Sequence, residues 1–129
     1  MTKIQSESPI KIACIQMEPR VGMKAQNLQK TLALIDKAAG NNAKLIVLPE
    51  LCNSGYVFET RDEAFALAEE IPDGPTTKAW SEAAARYGAY IVAGICEGEG
   101  NRLFNSAVIV GPTGYIGTFR KVHLWNEEN

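Results

Sequence analysis

Histidine occurs once and cysteine three times in these 129 residues, and that scarcity removes several chemistries at the outset. Cys14, Cys52 and Cys96 are far apart, odd in number and form no C-x-x-C pair, which argues against both a disulfide framework and a zinc site. Free, reduced thiols are the expected state, and a single His leaves a metal centre little to work with. No apolar run approaches the roughly 18 residues that a membrane span needs. The first nine residues are polar, with no apolar core of signal-peptide length. A formal net charge of -2, with no Lys/Arg cluster larger than a pair, gives no electrostatic case for nucleic acid. The expectation is a cytoplasmic protein that binds neither nucleic acid nor membrane.

What is present fits one soluble globular unit. Apolar residues make up 46% and charged residues 22%, and a chain of this length can bury a real core. Ile10 to Met17 reads as a strand. From Lys24 to Ala39 the apolar residues keep a helical period, with Leu28, Leu32, Ile35 and Ala39 on one face, and Gly40-Asn41-Asn42 supplies the stop. Lys44 to Leu48 is a continuous apolar run of the kind expected for a strand buried on both faces, and Pro49 ends it. Shorter helices are expected over Arg61–Glu70 and Thr76–Tyr87, separated by the turn formers of Ile71-Pro72-Asp73-Gly74-Pro75. Trp80, Ala84 and Tyr87 form a face suited to packing on a sheet. Ala89–Cys96, Leu103–Val110 and Tyr115–Phe119 then read as strands joined by Gly-rich hairpins. The order strand, helix, strand, helices and three strands is α/β, with parallel crossovers first and an antiparallel meander later. Neither Gly98-Glu99-Gly100 nor Gly111-x-x-Gly114 opens a helix, so a phosphate loop lacks its geometry.

Glu50 stands immediately past the end of a strand, where α/β folds place reactive groups, although position alone also allows a solvated loop carboxylate. Lys121 follows the last strand, and by itself reads as a surface charge. The sequence Leu48-Pro49-Glu50-Leu51, together with Phe104-Asn105-Ser106-Ala107, Gly111-Pro112-Thr113-Gly114 and Phe119-Arg120-Lys121-Val122-His123-Leu124, changes both readings. In combination these motifs resemble the nitrilase superfamily of carbon–nitrogen hydrolases, from Ile10 onward.

The resemblance implies a fold and a chemistry. The fold is α/β, the N-terminal part of a four-layer α-β-β-α sandwich, with residues 1–129 as a single, truncated carbon–nitrogen hydrolase domain. The chemistry is a Glu-Lys-Cys thioester mechanism in which Glu50 is the general base and Lys121 stabilises the oxyanion. A second glutamate beyond the lysine falls to Glu128, with Glu127 beside it. Burial is expected to tune the carboxylate of Glu50 toward its task. No metal or organic cofactor is implied. The substrate is a small amide, N-carbamoyl compound or nitrile, and the loop Pro49 to Tyr56 looks more like the amidase type. A homo-oligomer is implied for the full-length form. His123 is expected to be structural, and Asn105 to fix a local turn or strand start. Phe104 and Phe119 stand where the family often has Tyr.

The nucleophilic Cys of the family follows the Lys, and no cysteine here lies beyond Lys121. Cys14 and Cys96 read as buried small hydrophobes within strands, and Cys52 as part of a pocket-wall loop. The chain by itself is therefore expected to have no hydrolase activity, and to expose a sheet edge and an apolar face. Two other readings remain open from the sequence: a non-catalytic α/β scaffold or interaction module, and one half of a split enzyme.

Overall fold

A computed structural model describes residues 8–124. Its strands are β1 (Ile12–Cys14), β2 (Leu45–Val47), β3 (Tyr90–Glu99), β4 (Arg102–Gly111) and β5 (Gly114–Arg120), and its helices α1 (Lys24–Gly40), α2 (Arg61–Leu67) and α3 (Pro75–Tyr87). The strands form one sheet in sequence order. β1, β2 and β3 are parallel, while β3, β4 and β5 are antiparallel. The change of direction follows from connection length. The first two crossovers contain helices, whereas β3–β4 and β4–β5 are joined by tight turns that permit only antiparallel return.

Side chains alternate across a strand, and register partners share a face. Ile46, Ile91, Ala93, Ile95, Val108 and Val110 therefore point to one side, where Ile35, Trp80 and Ala84 cover them and complete the core. α1 turns a partly polar face inward: Asn27, Thr31 and Ile35 are its buried residues, and Leu28 and Leu32 pack only at the margin. Thr31 is tolerated because its hydroxyl accepts the indole N–H of Trp80 at 3.0 Å and donates to the Leu28 carbonyl at 2.7 Å, so nothing polar in the pair is left unmet. α3 begins with Pro75 and closes on Gly88 at φ 59°, the left-handed stop that glycine adopts without strain.

The opposite face of the sheet is open among the described residues. Ile12, Tyr90 and Phe119 are exposed, and Leu45, Val47, Val92, Ala107 and Ile109 only half-buried. This corrects two expectations. β2 is covered on one side, not on both, so only Ile46 of its three residues is fully buried. Cys14, on the short edge strand, is exposed rather than buried. The elements come in the expected order, but with shifted ends: β3 runs on to Glu99 and β4 gains one residue at each end, while β1 shortens to Ile12–Cys14 and α2 stops at Leu67 rather than Glu70.

The β4–β5 ladder contains one irregularity. Val110 pairs with Tyr115 but Ile109 pairs with Gly117, which leaves Ile116 as an extra residue in β5. Beyond this bulge Ser106 faces Arg120 and Ala107 faces Phe119.

Candidate active site

The site is built where the segment after β2 crosses over β3. Leu48 continues the ladder by donating its N–H to the Val92 carbonyl at 2.8 Å. Gly94 then donates to the Pro49 carbonyl, and its own carbonyl accepts the N–H of Cys52, both at 3.1 Å. The crossing is close: a Cβ at Gly94 would lie 2.4 Å from Glu50 Cα and 2.5 Å from Leu51 N. Only glycine leaves room. Leu51 takes φ 47°, a left-handed conformation that non-glycine residues adopt mainly where surrounding structure imposes it, often at functional sites.

Buried polar side chains hold the rest of this loop. Asn53 accepts the Cys96 N–H at 3.3 Å through its amide oxygen, and its carbonyl accepts Asn27 Nδ2 at 3.0 Å. Its own amide reaches Glu69 Oε2 at 3.4 Å. Glu69 is itself buried and takes the N–H and hydroxyl of Thr76 at 2.8 and 2.6 Å, with Lys24 Nζ at 2.9 Å. Burial alone would raise its pKa, but the Thr76 donors and the Lys24 ammonium outweigh it and hold the carboxyl below its ordinary value. Gly55, at φ 93°, lies against the backbone of Val21.

Lys121 arrives from the other side. Its N–H bonds the Asn105 carbonyl at 2.9 Å, extending the β4–β5 ladder by one residue. Its ammonium lies 2.9 Å from Glu50 Oε1, and Asn105 Nδ2 donates to the same oxygen at 2.8 Å. Glu50 and Lys121, which are 71 residues apart in sequence, are thus brought together at one point on the open face. Asn105 was not expected here. It lies inside β4, not at a turn, and belongs to the carboxylate's surroundings. The expectation of a buried Glu50 also fails: its side chain is 40% exposed and that of Lys121 32%, on a face that the other described residues leave open. A hollow of about 260 Å³ opens beside them over Val92, Ala107 and Phe119, and a second of about 330 Å³ continues past Asn105 toward Tyr56, Phe58 and Arg61.

The thiols sit elsewhere. Cys52 is fully buried and bonds the Gly94 carbonyl through Sγ at 3.3 Å; burial pushes its pKa up to about 12. Cys96 lies under α2, 3.8 Å from the Ala64 carbonyl, and burial raises it to about 11. Neither has the electropositive, accessible setting that yields a reactive thiolate. His123 is exposed, and Glu127 and Glu128 lie outside the described residues. No helix among the described residues is long and apolar enough to cross a membrane.

Comparison with known proteins places the sequence and the fold in one family. The family model described as carbon-nitrogen hydrolase fits residues 11–129. A nitrilase of Pyrococcus abyssi is 47% identical over 119 residues, covering 92% of this chain and 45% of that protein. The omega-amidase NIT2 of Danio rerio is 39% identical over 121 residues, covering 92% and 42%. Among solved structures, XC1258 from Xanthomonas campestris, described as a CN-hydrolase superfamily protein with an arsenic adduct in its active site, superposes with a TM-score of 0.80 at 30% identity, covering 92% of this chain and 44% of that one. The chain thus spans a little under half the length of these relatives. With an α/β sheet of their fold and a matching sequence along nearly all of its length, this chain belongs to the carbon–nitrogen hydrolases of the nitrilase superfamily.

Proposed function

We propose that residues 1–129 form the part of a carbon–nitrogen hydrolase domain that supplies the general base, Glu50, and the oxyanion-stabilising cation, Lys121, of a Glu-Lys-Cys mechanism. The observation that carries this reading is the convergence of Lys121 Nζ and Asn105 Nδ2 on one oxygen of Glu50. Both donors fall on Oε1, which fixes the carboxylate plane and makes Oε2 the oxygen suited to take a proton. The nucleophilic thiol comes from outside these residues, since Cys52 and Cys96 are buried and Cys14 lies on the edge strand. Glu50 removes the thiol proton as sulfur attacks the amide, N-carbamoyl or nitrile carbon. Lys121 stabilises the negative charge that develops on the substrate oxygen or nitrogen. In the amide case the C–N bond breaks, the nitrogen leaves with the proton held by Glu50, and a thioester remains. Water, losing a proton to the same carboxylate, releases the acid. Covering of the open face by a further layer would bury Glu50 and exclude water from the reaction. The amidase-like loop Pro49 to Tyr56 favours an amide or N-carbamoyl substrate.

The test is ammonia release from short aliphatic amides by the complete product of the reading frame. Glu50→Gln and Lys121→Met should each lower kcat/KM by about 10²–10⁴-fold. Full activity in either variant overturns the assignment, and hydrolysis by the 129-residue chain alone would place the nucleophile within it.

A further inference from the structure

Directly behind the Glu50 site, on the helix-covered side of the sheet, lies a second carboxylate whose partners mirror the first. Glu97 is buried and sits on β3. Its Oε2 accepts the Ser106 hydroxyl at 2.6 Å and Arg120 Nε at 3.0 Å, while Arg120 Nη2 reaches Oε1 at 2.5 Å. The guanidinium is further fixed by lying over the Phe104 ring at 3.7 Å and by reaching Glu99 at 3.2 Å. Ser106 is the residue after Asn105, and Arg120 is the residue before Lys121. Since successive side chains point to opposite faces, each carboxylate holds one side chain from β4 and one from the end of β5. Glu50 holds Asn105 and Lys121 in front; Glu97 holds Ser106 and Arg120 behind.

We infer that Glu97 is a positioning residue, which by clamping Ser106 and Arg120 fixes the twist and separation of β4 and β5 and so sets where Asn105 and Lys121 meet Glu50. Its consequence for catalysis rests on the functional reading above. The physical case is that Lys121 stands one residue past the end of β5, joined to β4 there by its backbone N–H to the Asn105 carbonyl, so the side chain of the residue before it helps to set how that strand end lies. A bidentate Arg–carboxylate pair, directional and charge-assisted, is the strongest tie the residue next door can make. Ion pairing of this kind, taken out of water, adds little net stability; what it does supply is geometry.

The experiment uses the complete protein with Glu97→Gln, Ser106→Ala and Arg120→Lys, each beside Lys121→Met. Arg120→Lys keeps the charge and loses the fork, so it separates geometry from electrostatics. For positioning, kcat per folded molecule falls by about 10–100-fold in Glu97→Gln and Arg120→Lys, as expected for ångström-scale displacement of a reacting group. KM stays within about twofold, and most of the loss disappears when Lys121 is already Met, because residues acting through one group are not additive. A second readout needs no activity: the side-chain amide signals of Asn105 in a nitrogen–proton NMR spectrum shift in Glu97→Gln and in Ser106→Ala. Unchanged kcat with unmoved Asn105 signals, whatever happens to the melting temperature, overturns the inference. A wild-type protein without hydrolysis overturns the functional reading instead, and the Asn105 signals then decide the clamp by themselves.

Discussion

Replacing Gly94 by alanine adds a single methyl group and should disable the site. The new Cβ would lie 2.4 Å from Glu50 Cα, 2.5 Å from Leu51 N and 2.6 Å from the Pro49 carbonyl oxygen. All of these are backbone atoms, so no side-chain rotation relieves the clash. Ordinary carbon contacts lie at about 3.5–4.0 Å, so the crossing segment must lift by roughly 1 Å or more. Two consequences follow. Overpacking of this kind costs about 1–3 kcal/mol, to which weakening of the Gly94–Pro49 and Cys52–Gly94 backbone bonds adds. The lift also stretches the 2.8 and 2.9 Å contacts from Asn105 and Lys121 to Glu50 past hydrogen-bonding range, and misplacement of about 1 Å at a reacting group can cost about 10²-fold in rate. Urea denaturation would measure the first effect and ammonia release per folded molecule the second. Gly40→Ala is the control: no atom lies within 4 Å of its added Cβ, and at a helix end the change should be neutral or slightly stabilising. A Gly94→Ala protein with the stability and turnover of the parent would refute the close-crossing argument.

Two further outcomes can be checked on the 129-residue chain by itself, whose open face leaves Cys14 accessible. Iodoacetamide at about pH 8 should modify Cys14 first and leave Cys52 and Cys96 intact in the folded state, because burial raises the latter two to about 12 and about 11 and only the thiolate reacts; peptide mass mapping that shows Cys52 labelled as fast as Cys14 would contradict this. Acid should destabilise the fold through Glu69 and Glu97, each opposed by burial but held by its donors below the ordinary 4.5. Near and below that value the unfolded chain binds more protons than the folded one, so their contribution is full above about pH 4.5 and is lost as pH falls through their folded values. The urea midpoint should therefore fall between about pH 6 and pH 3, and less steeply in a Glu69→Gln/Glu97→Gln variant; equal slopes would refute the assignment.

Glu50 and Lys121 could be singled out as candidates from the sequence because each follows a strand inside a recognisable motif, and the order of elements was legible because periodicity and turn residues are local signals. Other parts depended on distant partners. The apolar run from Lys44 to Leu48 has the composition of a doubly buried strand, but composition does not say whether a second layer is present, and among the described residues β2 is covered on one side only. Cys14 shares that ambiguity. Asn27 and Thr31 look like solvent-facing residues until the backbones of Arg20 and Asn53 and the Trp80 indole supply their partners. Glu69 and Glu97 carry no local mark at all: their donors come from Lys24, Thr76, Ser106 and Arg120. Asn105 was misplaced for a related reason, since its role depends on which residue of β5 lies opposite.

That last point gives Ile116 an unexpected weight. Counted straight back from the Gly111–Gly114 turn, Arg120 would stand across from Asn105 and share its face, and Lys121 would project to the helix side. The one extra residue in β5 reverses this parity: Arg120 goes inward to Glu97 and Lys121 outward to Glu50. The hairpin therefore works as a counting device, whose odd residue decides which of two adjacent cations meets which carboxylate. Deleting Ile116 would remove the bulge and keep every pairing beyond it, with Val110–Tyr115 running straight on to Ile109–Gly117, whereas deleting Thr118 with the bulge kept would leave every charged residue present, set Lys121 across from Ser106 and exchange the two addresses.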